Sequence, residues 1–320
     1  MNLPVRLPPG RKLFAWTLVT LCFLELGLRL GLGLGTPVLM MSHPTIEYLP
    51  RPNQDVRRFG ARVRYNEYSM RGPSFPREKS DPREYRVLML GDSVINGGAL
   101  VDQDELASSV VAAELTRTWG RPVLVMNASA GSWGPQNQLA YVDELGRFDC
   151  DAAVILWSTH DLDDVPTFAP LSPLSHPTQD PPGALYEAVS RYLLPRLLEP
   201  VPSTEPVTAP VTRRALPYME ELFERFGGHG VPVLVLFHLT RPELTSGSPP
   251  ELDIVSQLAR SGGAEFVSLG PAFRRALSEG SSPYRANDPI HPTPDGQRLI
   301  AESVLDWLRS GPPGRLQGGG

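Results

Sequence analysis

The sequence predicts an α/β fold over residues 85–309, with a mostly parallel sheet between two helical layers (three-layer α/β/α). Two observations carry this. Short runs such as 87–90 and 152–156 are continuously apolar, as strands buried on both faces must be. Longer amphipathic segments separate them, and strands alternating with helices imply crossovers and parallel pairing. A third observation sets the first 35 residues apart. Residues 13–34 are mostly Leu, Val, Phe, Ala and Gly, long enough for one membrane crossing.

Taken in order, residues 1–35 predict a membrane anchor. Arg6, Arg11 and Lys12 precede the apolar stretch and favour a cytoplasmic N-terminus. No small-residue cleavage pattern follows, which favours an uncleaved anchor over a signal peptide. Glu25 and Arg29 interrupt the stretch; four apart, they share a helical face and can pair. An amphipathic helix lying on the domain or the membrane is the other reading. Residues 36–84 are a polar, turn-rich lead-in.

Within 85–309, strands are predicted at 86–90, 123–127, 152–157, 231–237 and 265–269. Helices are predicted at 103–118, 135–146, 216–227 and 252–261, with an amphipathic closing helix at 295–309. A proline-rich stretch, 165–213, breaks the alternation. It reads as an insertion, a flap or mobile loop near the site, with a helix at 186–198. Residues 310–320 read as a disordered tail.

The formal charge of -5 argues against a general nucleic-acid binder. Cys22 lies in the apolar N-terminal stretch and Cys150 far from it, so no disulfide framework is expected.

The apolar run at 86–90 stops at Gly91-Asp92-Ser93, and Asp288-Pro289-Ile290-His291 stands near the other end. A strand that delivers a serine at its C-terminal tip suits a nucleophile. Serine is a poor nucleophile near neutral pH and needs a base, which a His oriented by an Asp can supply. Ser93 is the candidate nucleophile, His291 the base and Asp288 its orienting group. The bland reading makes Asp92 and Ser93 a helix cap and His291 a surface loop residue. In either case Asp92 braces the turn.

The two blocks together, Gly-Asp-Ser and then Asp-x-x-His, resemble the SGNH (GDSL-type) hydrolase superfamily over roughly residues 85–309. The stretch Asn66-Glu67-Tyr68-Ser69-Met70-Arg71-Gly72 resembles the lead-in of its membrane-anchored bacterial members, with Ser69 where Gly is usual. The resemblance implies an SGNH/flavodoxin-like fold and an oxyanion hole built from three blocks. The family's second-block Gly falls on Ser132, with Gly131 one residue earlier. Its third-block Asn-Asp reads His160-Asp161. A His can donate N–H in place of the Asn amide, so His160 is expected to face the oxyanion; a structural His is the alternative. Trp133 and Trp157 could stack on a sugar or fill the core, and His238 reads as structural. Asp161, Asp163 and Asp164 read as loop or cap residues, and no metal or cofactor is expected.

The resemblance therefore implies a membrane-anchored serine esterase, facing the periplasm or cell surface. It would act through an acyl-enzyme on acyl or acetyl esters of a carbohydrate or lipid. An O-acyltransferase of an envelope glycan, or a catalytically weak binding or assembly component, is the alternative. The partners expected are a small-molecule or glycan ester and the membrane, with no nucleic acid.

Overall fold

A computed structural model of the chain describes residues 9–198 and 212–311. The tail from 312 onwards, residues 1–8 with Arg6, and 199–211 of the proline-rich stretch lie outside the described residues.

Helix α1 (Pro9–Leu32) has 24 residues. At 1.5 Å per residue it is about 36 Å long, more than the ~30 Å hydrocarbon core of a bilayer. Its apolar window has a mean hydropathy of 1.7 and is not buried against the protein. Two antiparallel hairpins follow, β1 (Met40–His43) with β2 (Glu47–Pro50), and β3 (Gln54–Arg58) with β4 (Ala61–Tyr65). The sequence reading expected a turn-rich lead-in here, with no hairpins. Strands of four or five residues in two-stranded ribbons show little periodicity, and Arg57, Arg58, Arg62 and Arg64 mask the apolar alternation. Ile46, Tyr48, Leu49, Val63 and Tyr65 nevertheless pack inward.

The central sheet comprises β5 (Tyr85–Gly91), β6 (Val123–Ser129), β7 (Ala152–Ser158), β8 (Val233–His238) and β9 (Glu265–Ser268). All pairings are parallel and the order is β6-β5-β7-β8-β9. Val87, Leu88, Met89 and Leu90 are fully buried, each contributing about 1.5–3 kcal/mol of transfer free energy. The connecting helices are α2 (Ser93–Asn96), α3 (Ala107–Trp119), α4 (Pro135–Leu145), α5 (Ala184–Glu187), α6 (Leu194–Leu198), α7 (Leu216–Gly227), α8 (Glu243–Ser246), α9 (Pro250–Ser261), α10 (Gly270–Ser278) and α11 (Pro294–Ser310). Between α5 and α6 the helix runs on as a π turn over Ala188–Leu193.

This strand order reverses direction at β5, so the crevice at the C-terminal ends of β5, β6 and β7 is the expected binding position. Register aligns those ends: Gly91 pairs with Ser129, and Ser158 with His238. Four loops therefore leave the sheet at one edge. Gly91 has a steric role there. A Cβ on it would lie 2.8 Å from Ile95 Cδ1, so any larger residue would require the Ile95 side chain to move as α2 turns back onto the strand that precedes it.

The long helix expected at 103–118 is broken. A 3-10 turn, Gln103–Glu105, is capped by Asp102, and α3 starts after an extended Leu106. The Asp102 side chain accepts from Arg62 N at 2.8 Å, a contact from the lead-in that no local pattern reports. Trp133 and Trp157 are fully buried core residues. Their indole N–H groups donate to Tyr48 O (3.0 Å) and Gln138 Oε1 (2.9 Å), so neither can stack on a ligand.

Candidate active site

Ser93 is the first residue of α2 and follows β5 by one residue. Asp92 caps the helix: its Oδ1 accepts from Val94 N at 2.8 Å. Two long-range contacts pin α2. Gln297 on α11 donates to Val94 O (2.6 Å) and accepts from Ala107 N (3.0 Å). Asn127 on β6 donates to Ile95 O at 2.9 Å.

Asp288 and His291 lie on the loop between α10 and α11. His291 Nε2 is 2.9 Å from Ser93 Oγ, and its Nδ1 is 2.7 Å from Asp288 Oδ2. The other carboxylate oxygen, Asp288 Oδ1, accepts from the backbone N–H of Ile290 and of His291, both at 3.1 Å. Burial works to raise the Asp288 carboxyl, but these backbone bonds and the imidazole hold it below the usual carboxylate range. A persistent carboxylate selects the tautomer with Nδ1–H toward Asp288 and a lone pair at Nε2 toward Ser93.

His238, at the end of β8, was read as structural, and it holds this loop. Its Nε2–H donates to Ile290 O at 2.8 Å. Burial depresses its ionisation, outweighing the bond to Ile290 O, which favours the charged ring. Tyr284 adds a bond from its hydroxyl to Leu239 O at 2.5 Å.

The second and third blocks part company. Gly131 lines the cavity at Ser93. Ser132 adopts φ +58°, the left-handed region a glycine favours. Ser69 in the lead-in does the same, at φ +60°. His160 and Asp161 are not among the residues lining that cavity. The ring of His160 faces Ser158 Oγ with Nδ1 (3.0 Å) and Asp92 Oδ2 with Nε2 (3.5 Å). Ser158 N and Oγ both donate to Asp161 Oδ2, at 2.6 and 2.8 Å. Desolvation opposes a charge on His160, but the carboxylates of Asp161 and Asp92 outweigh it and push the imidazole up to about 10. Burial raises the Asp161 carboxyl and the His160 charge draws it back.

In this arrangement His160 is engaged by Asp92 and Ser158. Nε2 of His160 is turned to the Asp92 carboxylate and Nδ1 to the Ser158 hydroxyl, because buried carboxylates attract a cation more strongly than a pocket attracts a neutral donor. Asp92, His160 and Asp161 also form the cluster, among the described residues, that could hold a metal ion.

A cavity of about 250 Å³ opens over Ser93 and His291. Its roof comes from the lead-in and the proline-rich stretch, including Arg58, His176, Arg191 and Tyr192. The roof is tied by charge. Arg58 and Glu187, both buried, pair at 2.5 Å, and Glu187 also takes Arg191 (3.1 Å) and Gly35 N (2.6 Å). The Glu25–Arg29 pair forms at 2.6 Å. The Glu25 carboxylate also accepts from Ala184 N (2.9 Å) and Leu185 N (2.8 Å), which caps α5 from α1. The charges that interrupt the apolar stretch thus anchor the roof.

Sequence reasoning missed one more brace. Arg71, buried in the lead-in motif, donates to Asn96 O (2.7 Å), Gly98 O (2.5 Å) and Val101 O (2.9 Å), and fixes the loop after α2. The motif was visible; its target was not.

No protein-family profile matches the chain, and no curated protein matches it significantly in sequence. Among solved structures it is similar to a two-domain esterase active on acetylated mannans, with 13% identity, a TM-score of 0.48, and coverage of 71% of this chain and 49% of that one. The chain thus spans about half the length of that protein. It is similar also to a catalytic mutant of an acetylxylan esterase from Geobacillus stearothermophilus (14% identity, TM-score 0.45, 69% of this chain and 93% of that one). A third is an alpha/beta hydrolase enzyme from the metagenome of Lake Arreo, Spain (16% identity, TM-score 0.46, 69% and 94%).

Proposed function

We propose that this protein is a serine esterase of the SGNH type, held at a membrane by α1, that cleaves short acyl esters of a carbohydrate or lipid on the extracytoplasmic side. One observation carries the reading: the unbroken relay Asp288–His291–Ser93, with bonds of 2.7 and 2.9 Å. A binding component has no use for a base aligned on a serine.

The chemistry follows from that alignment. His291 Nε2 takes the hydroxyl proton as Ser93 Oγ attacks the ester carbonyl. The developing oxyanion is met by the Ser93 N–H at the start of α2 and by the backbone of the Gly131-Ser132 turn. His291 returns its proton to the departing alcohol oxygen, and Ser93 is left acylated. Water, deprotonated by His291, then releases the acid. Asp288 stays ionised throughout and stabilises the imidazolium. A cavity of about 250 Å³ is smaller than sites for drug-sized ligands, which supports an acetyl-sized acyl group. His160, in this reading, positions Asp92 and with it the nucleophile turn. Arg11 and Lys12 in the first turn of α1, before its apolar stretch, support an N-terminus on the cytoplasmic side.

The test is covalent labelling with a fluorophosphonate probe alongside hydrolysis of 4-nitrophenyl acetate. Native protein is expected to label and turn over; Ser93→Ala is expected to do neither. Equal hydrolysis by both proteins would overturn the proposal.

A further inference from the structure

The cavity walls hold three arginines, Arg58, Arg191 and Arg285, and no Asp or Glu. Glu187, just behind the wall, answers the first two. Their donors are also committed elsewhere: Arg58 to Gly33 O (3.0 Å) and Tyr192 Oη (3.1 Å), Arg191 to Leu174 O (2.7 Å). Counting Asp288 beside Arg285, three guanidiniums thus face two carboxylates.

Arg285 differs from the other two. It is half-buried and has no ion pair among the described residues. Its side chain makes one hydrogen bond, from Nη2 to Gly97 O at 2.8 Å, although a guanidinium carries five N–H groups. Nε is buried with no partner. The nearest acid that acts on it is Asp288, whose two oxygens are already held by His291 and by the backbone of the same loop. A buried donor left unpaired costs about 1–3 kcal/mol, more when charged, and native proteins seldom leave one so without a use.

Its place gives the use. Arg285 N donates to His291 O at 3.1 Å, and its guanidinium rests on Gly97 O, just past the helix that Ser93 opens. Arg285 therefore lines the cavity at the junction of nucleophile and base.

We infer that Arg285 binds an anionic group on the substrate, so that the preferred ester carries a carboxylate or phosphate within reach of the scissile bond. This rests on the esterase reading and adds the substrate class. A planar guanidinium matches either oxyanion with two parallel bonds, and the surplus positive charge of the cavity attracts both.

The rival role is mechanical: Arg285 as a tether between α2 and the His291 loop. Three probes separate the roles, namely 4-acetoxybenzoate, 4-acetoxyphenyl phosphate and the neutral methyl 4-acetoxybenzoate. Each is hydrolysed by full-length native protein and by Arg285→Gln and Arg285→Lys, and the variant-to-native ratio is taken per probe. Arg285→Gln is expected to raise KM for the charged probes about 10- to 100-fold, the scale of a lost charge-assisted bond, with the neutral probe within about twofold. Arg285→Lys is expected to recover part of the loss. The more affected of the two charged probes identifies the carboxylate or the phosphate as the natural group. An equal fall in kcat for all three, or no change in any, overturns the inference. Calorimetric binding of 4-acetoxybenzoate to Ser93→Ala, and to Ser93→Ala with Arg285→Gln, tests the anion site without turnover. Weaker binding by the double variant supports the inference; equal or undetectable binding by both rejects it, whatever becomes of the esterase reading.

Discussion

Ser93 sits between two regions made differently. Beneath it are β5, β6 and β7, whose paired residues are almost all apolar and buried, and tight turns at their ends carry Ser93, Gly131 and His160. Above it, segments more than 100 residues apart meet through Arg58, Glu187, Arg191, Glu25 and backbone N–H groups. The floor is held by area removed from water, a non-directional force that tolerates conservative exchange. The roof is held by buried charges, each of which depends on one partner and is costly to strand. Chemistry is placed on the tolerant region and the cover on the intolerant one. Damage to the floor should therefore show in turnover, and damage to the roof in folding.

The largest expected effect tests the loop that meets the floor at Ser93. Asp288→Asn keeps the shape of the loop but removes the charge that selects the His291 tautomer. Turnover of 4-nitrophenyl acetate is expected to fall about 10⁴-fold. The melting temperature should move by only a few degrees. A loss below tenfold would show that Asp288 does not orient the base.

The next strikes the roof. Glu187→Gln strands the buried Arg58 and is expected to cost about 3–5 kcal/mol in denaturant unfolding. Replacing both partners, Arg58→Met with Glu187→Met, should recover most of that loss. If Glu187→Gln is as stable as native protein, charge does not hold the roof.

A smaller effect lies between the regions, at His160. Its pKa in the folded protein, about 10, exceeds its ordinary 6.5. The stability it contributes is thus fully present below pH 6.5 and lost as pH rises toward 10. His160→Gln should flatten the fall in melting temperature across that window. Its turnover should stay well above the roughly 100- to 1000-fold loss expected for a missing oxyanion donor. A loss on that scale with the fold intact would return His160 to the oxyanion hole.

The smallest concerns backbone. Ser69 and Ser132 hold left-handed conformations that glycine adopts without strain. Ser69→Gly and Ser132→Gly should each stabilise by less than about 1 kcal/mol, since the relief of strain is partly offset by greater freedom of the unfolded chain. A drop in melting temperature for either would show that its side chain is needed.

Much of the floor was legible in the sequence. The strand at 86–90 needed one more residue at each end, and the helix at 216–227 matched its observed bounds. Such elements announce themselves because neighbours in sequence share one environment. Gly91-Asp92-Ser93 and Asp288-Pro289-Ile290-His291 were legible for a related reason: each packs its chemistry into a few adjacent residues. The two lead-in hairpins and α10 (Gly270–Ser278) were not foreseen, being short and rich in charge or glycine.

By itself, then, the sequence determined the alternation of strand and helix, the candidate triad Ser93, His291 and Asp288, and the pairing of Glu25 with Arg29 within one helix. All of these depend on contacts within a few residues. Only the tertiary structure decided that Glu25 caps a helix beginning at Ala184, that Arg58 finds Glu187, that His160 turns to Asp92, and that Arg285 is left with free donors beside Ser93. A charged side chain has many potential partners along the chain, and local pattern carries no information about which will be near. That choice is made when the sheet closes and removes water, because burial then makes an unmatched charge too costly to keep.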